Sequence, residues 1–308
     1  MTASTLTFRL AAATTAASAL ILAGCAPATL SSDRPHLVVT TNILGDVVSE
    51  VAGDAADVTV LMRPNADPHS FEISAQEAAM LADADLLVSN GLGLEENVEL
   101  HLATAASAGA MRFVAGDHIE VIEYASDEAS GPDPHFWTDP GRIVDVVVAL
   151  EEQLTAMPEI DSATIEQNAA AYLAEIEQLD AEMTESFASI PRENRALVTN
   201  HHVFGYLADR FDFTTVGTVI PGGTTLASPS AADLDSLATA IQTTGVPAIF
   251  AESSQPDRLI QVLASEVDIH IDVVELFSES LTGADEEAST YITMMRVNTE
   301  RITNGLSR

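Results

Sequence analysis

Apolar residues recur along this chain in two alternating periods. Short runs rich in β-branched residues are followed by longer stretches in which apolar side chains return every three or four positions. Residues 36–41 (His-Leu-Val-Val-Thr-Thr) predict a strand, and 42–52 a helix with Ile43, Val47, Val48 and Val51 on one face. The same alternation predicts strands over 58–62, 85–89, 112–114 and 119–122, and helices over 74–82 and 97–108. Ser74 followed by Glu77 is a capping-box pattern that dates the start of the first of these. A further helix is predicted over 141–156, with Pro140 at its first turn. Residues 161–189 then carry the longest uninterrupted helical period. Ile165, Ala169, Tyr172, Ile176, Leu179, Met183 and Phe187 fall three or four apart, with no Gly or Pro between them. Beyond Pro191 the alternation resumes, with strands at 196–199, 215–220, 248–251 and 271–276 and helices at 203–211, 231–243, 256–266 and 286–304. Strand–helix alternation of this kind builds parallel sheets covered by helices. The expected fold is therefore α/β, with two open parallel-sheet lobes, residues 36–160 and 191–308, joined by a single long α-helix over 161–190.

Composition sharpens this picture at both ends of the charge scale. The chain has 308 residues, 47% of them hydrophobic, enough for a core in each lobe. It has twelve arginines and no lysine against 47 acidic residues, a formal charge of −35. Such a balance argues against nucleic acid as a partner, because phosphate binding needs a basic surface. It is compatible with a cation, although most of these carboxylates read as solvated faces that set solubility. Arg9 is followed by an apolar run over 10–23, too short for a bilayer, which takes about 20 apolar residues, but suited to a secretory signal. Leu22-Ala23-Gly24-Cys25 resembles a bacterial lipobox. Residues 1–24 are accordingly expected to be a lipoprotein signal peptide, Cys25 the lipidated residue, and 25–35 a flexible tether. The rest would be tethered to the outer face of the bacterial cell membrane. Cys25 is the only cysteine, so it forms no intramolecular disulfide.

Candidate chemistry concentrates in the histidines. Gly131-Pro132-Asp133-Pro134-His135-Phe136-Trp137-Thr138-Asp139-Pro140 holds the only tryptophan and a histidine within a backbone stiffened by three prolines. Asp133 and Asp139 are both placed to orient its imidazole. Three of the eight histidines, His69, His135 and His201, lie where a predicted strand meets the following loop, the end of a parallel sheet at which ligands bind. Two share the pattern Asp-Pro-His, at 67–69 and 133–135; the third lies in Asn200-His201-His202, where spacing alone does not choose between the two histidines. A fourth candidate, Glu279, follows the last predicted strand. Three imidazoles and a carboxylate complete a roughly tetrahedral shell for zinc or another first-row divalent ion. His101 and His270 fall within predicted elements, and His36 and His118 at or near strand starts, away from that cleft.

With these residues assembled, the chain resembles the metal-binding lipoproteins of ABC-type zinc/manganese importers, the TroA-like or cluster A-I solute-binding family. The likeness covers nearly the whole chain after the leader. It runs through Leu37-Val38-Val39-Thr40-Thr41-Asn42-Ile43, Asp67-Pro68-His69-Ser70-Phe71-Glu72, Asn90-Gly91-Leu92-Gly93-Leu94-Glu95 and Asp133-Pro134-His135-Phe136-Trp137, then His201-His202-Val203-Phe204-Gly205-Tyr206, Phe250-Ala251-Glu252-Ser253-Ser254 and the stretch from Tyr291 to Leu306. The resemblance implies a rigid linking helix and a metal site in the cleft, with His69, His135, His201 and Glu279 as ligands. It selects His201 over His202 because the family pattern is His-x-x-Phe. Glu279 stands where the family usually has aspartate. Glu252 matches a position beside the site, expected to support a ligand and not to be one. Histidine in the third position is implied to favour Zn2+, with Mn2+ or Fe2+ as the alternative. The histidine-rich loop of many zinc members is absent from 124–134.

The resulting expectation is a solute-binding component of an ABC importer that captures Zn2+ and delivers it to the membrane permease. It would be a monomer and not an enzyme, and a separate metallochaperone is a conceivable second partner. The competing readings from other classes are a zinc hydrolase, with Glu252 as general base, and a surface adhesin whose metal is only structural.

Overall fold

Parallel strands and the helices between them account for most of this computed structural model, which describes residues 34–124, 129–267 and 271–307. The expected signal peptide, Cys25 and most of the tether lie outside the described residues, as does His270. Among the described residues no helix is long and apolar enough to cross a membrane.

The N-terminal lobe is a four-stranded parallel sheet of order β2-β1-β3-β4, made of β1 (His36–Val39), β2 (Asp57–Val60), β3 (Leu86–Ser89) and β4 (Met111–Val114). Its helices are α1 (Asn42–Ala52), α2 (Ala75–Ala82), α3 (Glu96–Ala108) and α4 (Pro140–Thr155). Local chemistry explains their starts. The Thr41 hydroxyl accepts from the Leu44 N–H, Ser74 and Glu77 close the capping box, and the Asp139 carboxylate accepts from Gly141 N with Pro140 in the first turn.

α5 (Ser162–Ala188) joins the lobes. Its 27 residues span about 40 Å at 1.5 Å each. The seven residues named from its periodicity are its buried residues. They lie in one continuous apolar core with Val47 and Val51 of α1, Ile143 and Leu150 of α4, and Tyr291 and Met295 from the C-terminal lobe. A helix packed on both lobes through one core resists bending, because close-packed side chains transmit strain instead of absorbing it.

The C-terminal lobe contains β5 (Ala196–Thr199), α6 (Gly205–Phe211), β6 (Thr214–Thr218), α7 (Ala231–Thr244), β7 (Ala248–Glu252), α8 (Arg258–Glu266), β8 (Asp272–Leu276) and α9 (Tyr291–Leu306). Its strands pair in parallel as two two-stranded sheets, β5-β6 and β7-β8.

Two expectations change. Residues 119–122 do not form a strand of the sheet. Their continuation pairs locally, with Asp133 N donating to Ile122 O and Tyr124 N to Gly131 O, so the segment folds back on the Asp-Pro-His loop. The last helix starts at Tyr291 and not at 286. Thr282 N donates to Ala288 O and Ala288 N to the Thr282 hydroxyl, which closes 282–288 into a turn before Thr290 caps the helix.

Candidate metal centre

Each candidate ligand follows the carboxyl end of a parallel strand. His69 lies in the loop after β2, His135 in the long connection after β4, His201 two residues past β5, and Glu279 three residues past β8. Strand direction therefore starts each of these connections at the ligand-binding end of its own sheet. One ligand atom from each lies within 4.8 Å of the others, and all four residues are buried. His69 Nε2 is 3.2 Å from His135 Nε2, and Glu279 Oε1 is 3.4 Å from His135 Nε2 and 3.1 Å from His201 Nε2. Glu279 Oε2 is 3.9 Å from His69 Nε2. A tetrahedral shell with bonds near 2.0–2.1 Å has ligand atoms about 3.4 Å apart, so the cluster is sized for a single first-row ion.

The local fold of the two Asp-Pro-His motifs is the same. In each, one aspartate oxygen accepts the histidine N–H two residues on, at 2.9 Å, an Asx turn that fixes the histidine backbone. Asp133 goes further, with Oδ1 also 2.7 Å from His135 Nδ1. That contact keeps a proton on Nδ1 and turns a bare Nε2 toward the cluster. Asp139 does not share the task; it caps α4 and faces Arg142 and Arg210. Asn90 Nδ2 donates to Pro134 O, and Asn90 is itself held by buried Glu95, whose oxygens accept from the N–H groups of Asn90 and Gly91 and from the Thr40 hydroxyl. Gly205 backs Asp133 so closely that a Cβ there would collide with its carboxylate.

His201 Nδ1 lies 3.1 Å from Glu252 Oε2, an ion-pair distance without hydrogen-bond alignment. The other Glu252 oxygen accepts from the Ser254 hydroxyl. Glu252 thus sits behind His201, on the side away from Glu279. Glu279 is presented by a loop stitched to the N-terminal lobe. Trp137 Nε1 donates to Ser278 O at 2.8 Å, Asn42 Nδ2 donates to the Ser280 hydroxyl at 2.7 Å, and Asn42 Oδ1 accepts from Leu281 N. Neither Glu279 carboxylate oxygen has a hydrogen-bond partner. The groups that face it are the cluster imidazoles, and a buried carboxylate of this kind is stabilised by a cation or a proton among them.

The electrostatics agree with this reading. Burial, with the neighbouring imidazoles adding to it, drives the His69 pKa down to about 2 and that of His135 well below its ordinary 6.5. Both rings are therefore neutral, the form that ligates metal. Burial acts against a proton on His201 too, but Glu252 and Glu279 outweigh it and push its pKa up to about 10. Burial raises Glu279 to about 7, opposed by His201. Without a cation, a proton held between His201 and Glu279 balances the site.

The remaining described histidines have other surroundings. His36 Nε2 lies 2.8 Å from the Thr59 hydroxyl, His118 stacks on Phe113, His101 is exposed on α3, and His202 is half-buried beside Tyr124. Between the two adjacent histidines that spacing left open, the fold brings His201 into the cluster. Sequence reasoning missed Asn90 and Glu95 as supports and the wider role of Asp67. The only available signal for the first two was their place in the motif Asn90 to Glu95.

Comparison with known proteins gives a consistent picture. The sequence profile of the family described as ZnuA, zinc-uptake complex component A, periplasmic, matches residues 37–305. The chain is 31% identical over 279 residues to the zinc-binding protein TroA of Treponema pallidum, across 89% of this chain and 90% of that protein. It is 27% identical over 289 residues to the manganese ABC transporter substrate-binding lipoprotein PsaA of Streptococcus pneumoniae, across 90% of this chain and 91% of that one. The solved structure of the periplasmic zinc-binding protein TroA from Treponema pallidum matches with a TM-score of 0.83 at 30% identity, covering 89% of this chain and all of that chain.

Proposed function

The chain belongs to the zinc-uptake complex component A family, and we propose that it is the extracytoplasmic solute-binding component of an ABC importer, capturing Zn2+ and delivering it to the membrane permease. The observation that carries this reading is the buried cluster of His69, His135, His201 and Glu279, with one ligand atom from each within 4.8 Å of the others. Zn2+ is the substrate, held by three imidazoles and one carboxylate. This borderline-soft nitrogen-rich set suits zinc better than manganese, which prefers oxygen ligands. Manganese is the second reading, supported by one feature of this chain: both Glu279 oxygens are free and face the cluster, so the carboxylate can supply two oxygens to an ion that takes a larger shell.

Binding rather than catalysis is favoured by the position of Glu252. A hydrolase general base would face an open coordination position, whereas Glu252 stands behind the His201 imidazole. Anchoring through a lipidated Cys25 and delivery to a permease complete the proposal. Competitive metal binding tests it: wild type should retain one Zn2+ against a chelator, and His201→Ala and Glu279→Ala should each weaken binding by at least about a hundredfold. Wild-type retention in both variants would remove the site assignment, and preference for Mn2+ in the wild type would select the second reading.

A further inference from the structure

Asp67 has a second set of bonds that the metal cluster does not require. Its Oδ1 holds the His69 N–H, while Oδ2 accepts from the Thr225 hydroxyl at 2.6 Å and from Gln255 Nε2 at 2.8 Å. Thr225 lies on the connection between β6 and α7, and Gln255 on that between β7 and α8, both in the C-terminal lobe. Asp67 itself is buried in the N-terminal lobe. One carboxylate thus joins the backbone of a cluster histidine to two loops of the other lobe. A second N-terminal side chain grips the same β6–α7 loop: the Tyr124 hydroxyl donates to Gly223 O at 2.9 Å. Gly223 is needed there, since a Cβ would run into the Tyr124 ring. The Tyr124 ring in turn lies edge-on to His135, 6.3 Å between centroids.

The two grips fall beside different ligands, Asp67 next to His69 and Tyr124 against His135. The loop of residues 221–229 is thereby held at two points beside the centre, while Leu226 within it is 60% exposed. None of these groups donates to the cluster itself. Hydrogen bonds to a carboxylate are among the stronger ones a loop can make, and releasing those to Oδ2 frees the loop while Oδ1 keeps its hold on the His69 turn.

We infer that residues 221–229 form a strap over the metal centre and that Asp67 is its positioning residue, with Tyr124 as the second pin, so that these cross-lobe bonds set how fast the captured cation leaves. The inference rests on the metal-receptor reading. It adds a device that governs release, the step in which affinity differences are mostly expressed.

The test is Zn2+ release from the full chain into excess chelator, followed by stopped flow. Thr225→Val and Tyr124→Phe, which remove one hydroxyl each, should release Zn2+ about tenfold faster than wild type and faster still together. Thr225→Ser, which restores the hydroxyl, should release at the wild-type rate, a rescue that a merely structural defect would not show. Bound stoichiometry should stay at one Zn2+ throughout. Release at the wild-type rate from the double variant overturns the strap alone. A wild-type chain that retains no Zn2+ overturns the receptor reading, and the strap with it.

Discussion

In both Asp-Pro-His motifs the aspartate accepts the histidine N–H two residues on, but only Asp133 also reaches its own imidazole. Asp133→Asn keeps the turn's acceptor but replaces the carboxyl oxygen that holds the proton on His135 Nδ1. It is expected to lower Zn2+ affinity about 10–100-fold, the usual cost of removing such a supporting group, read by chelator competition. The pH dependence of binding is also set by single residues. Burial lowers the pKa of both His69 and His135, so protons compete for these rings less than for ordinary imidazoles. Glu279 and His201 do compete, because the metal-free site holds a proton there up to about pH 7 and beyond. Zn2+ must displace that proton, so affinity should fall as pH drops below 7, with proton release accompanying binding. Titration calorimetry in buffers of different ionisation enthalpy measures the protons released; a pH-independent affinity between 5 and 7 would contradict the assignment.

Among the elements, α1 and α9 meet at a partly buried carboxylate. The Asp46 carboxylate on α1 accepts from Tyr291 N at the start of α9, at 2.8 Å. Burial raises its pKa from 3.8 to about 6, against that donated bond and with Glu50 adding to the rise. A carboxyl whose folded pKa is raised contributes stability that is fully present below its unfolded pKa and is lost as pH rises through about 6. Asp46→Asn mimics the protonated form and keeps an oxygen for Tyr291. It should flatten the stability profile between about pH 4 and 6 and stabilise the protein at pH 7 by about 1–2 kcal/mol, measured by urea denaturation. The helices themselves were largely legible in the sequence. The buried face of α5 follows its 3.6 period, and the Ser74–Glu77 cap sits where the capping box put it. Residues 119–122 misled because a β-branched run carries no information about its partner. Here the partner is the 131–133 backbone and not a sheet edge.

For the whole molecule, the seat of Glu279 matters most. Its loop belongs to the C-terminal lobe in chain order but is bonded to Trp137 and Asn42 of the N-terminal lobe. On the proposed reading, an ion held by His69 and His135 of one lobe and by His201 and Glu279 of the other would tie both lobes together and stabilise only the folded state. At about a thousand times Kd, Zn2+ should add about 4 kcal/mol, raising the melting temperature by about 10 °C for a body of this size. His201→Ala should lose most of that rise, as read by thermal unfolding with and without metal. The strand–helix alternation, the long linking helix and the Asx turns at His69 and His135 follow from the sequence itself, because they depend on residues within a few positions of one another. Strand-end placement also marked His69, His135 and Glu279 and narrowed the third candidate to His201 or His202, between which the family pattern His-x-x-Phe chose His201. Only the tertiary structure turned His201 into the cluster, bonded Glu279's loop to Trp137 across 141 positions, and joined Asp67 to Thr225 and Gln255 across 158 and 188. Those contacts are chosen by how the two lobes pack on α5, and no local pattern of residues registers a partner that far along the chain.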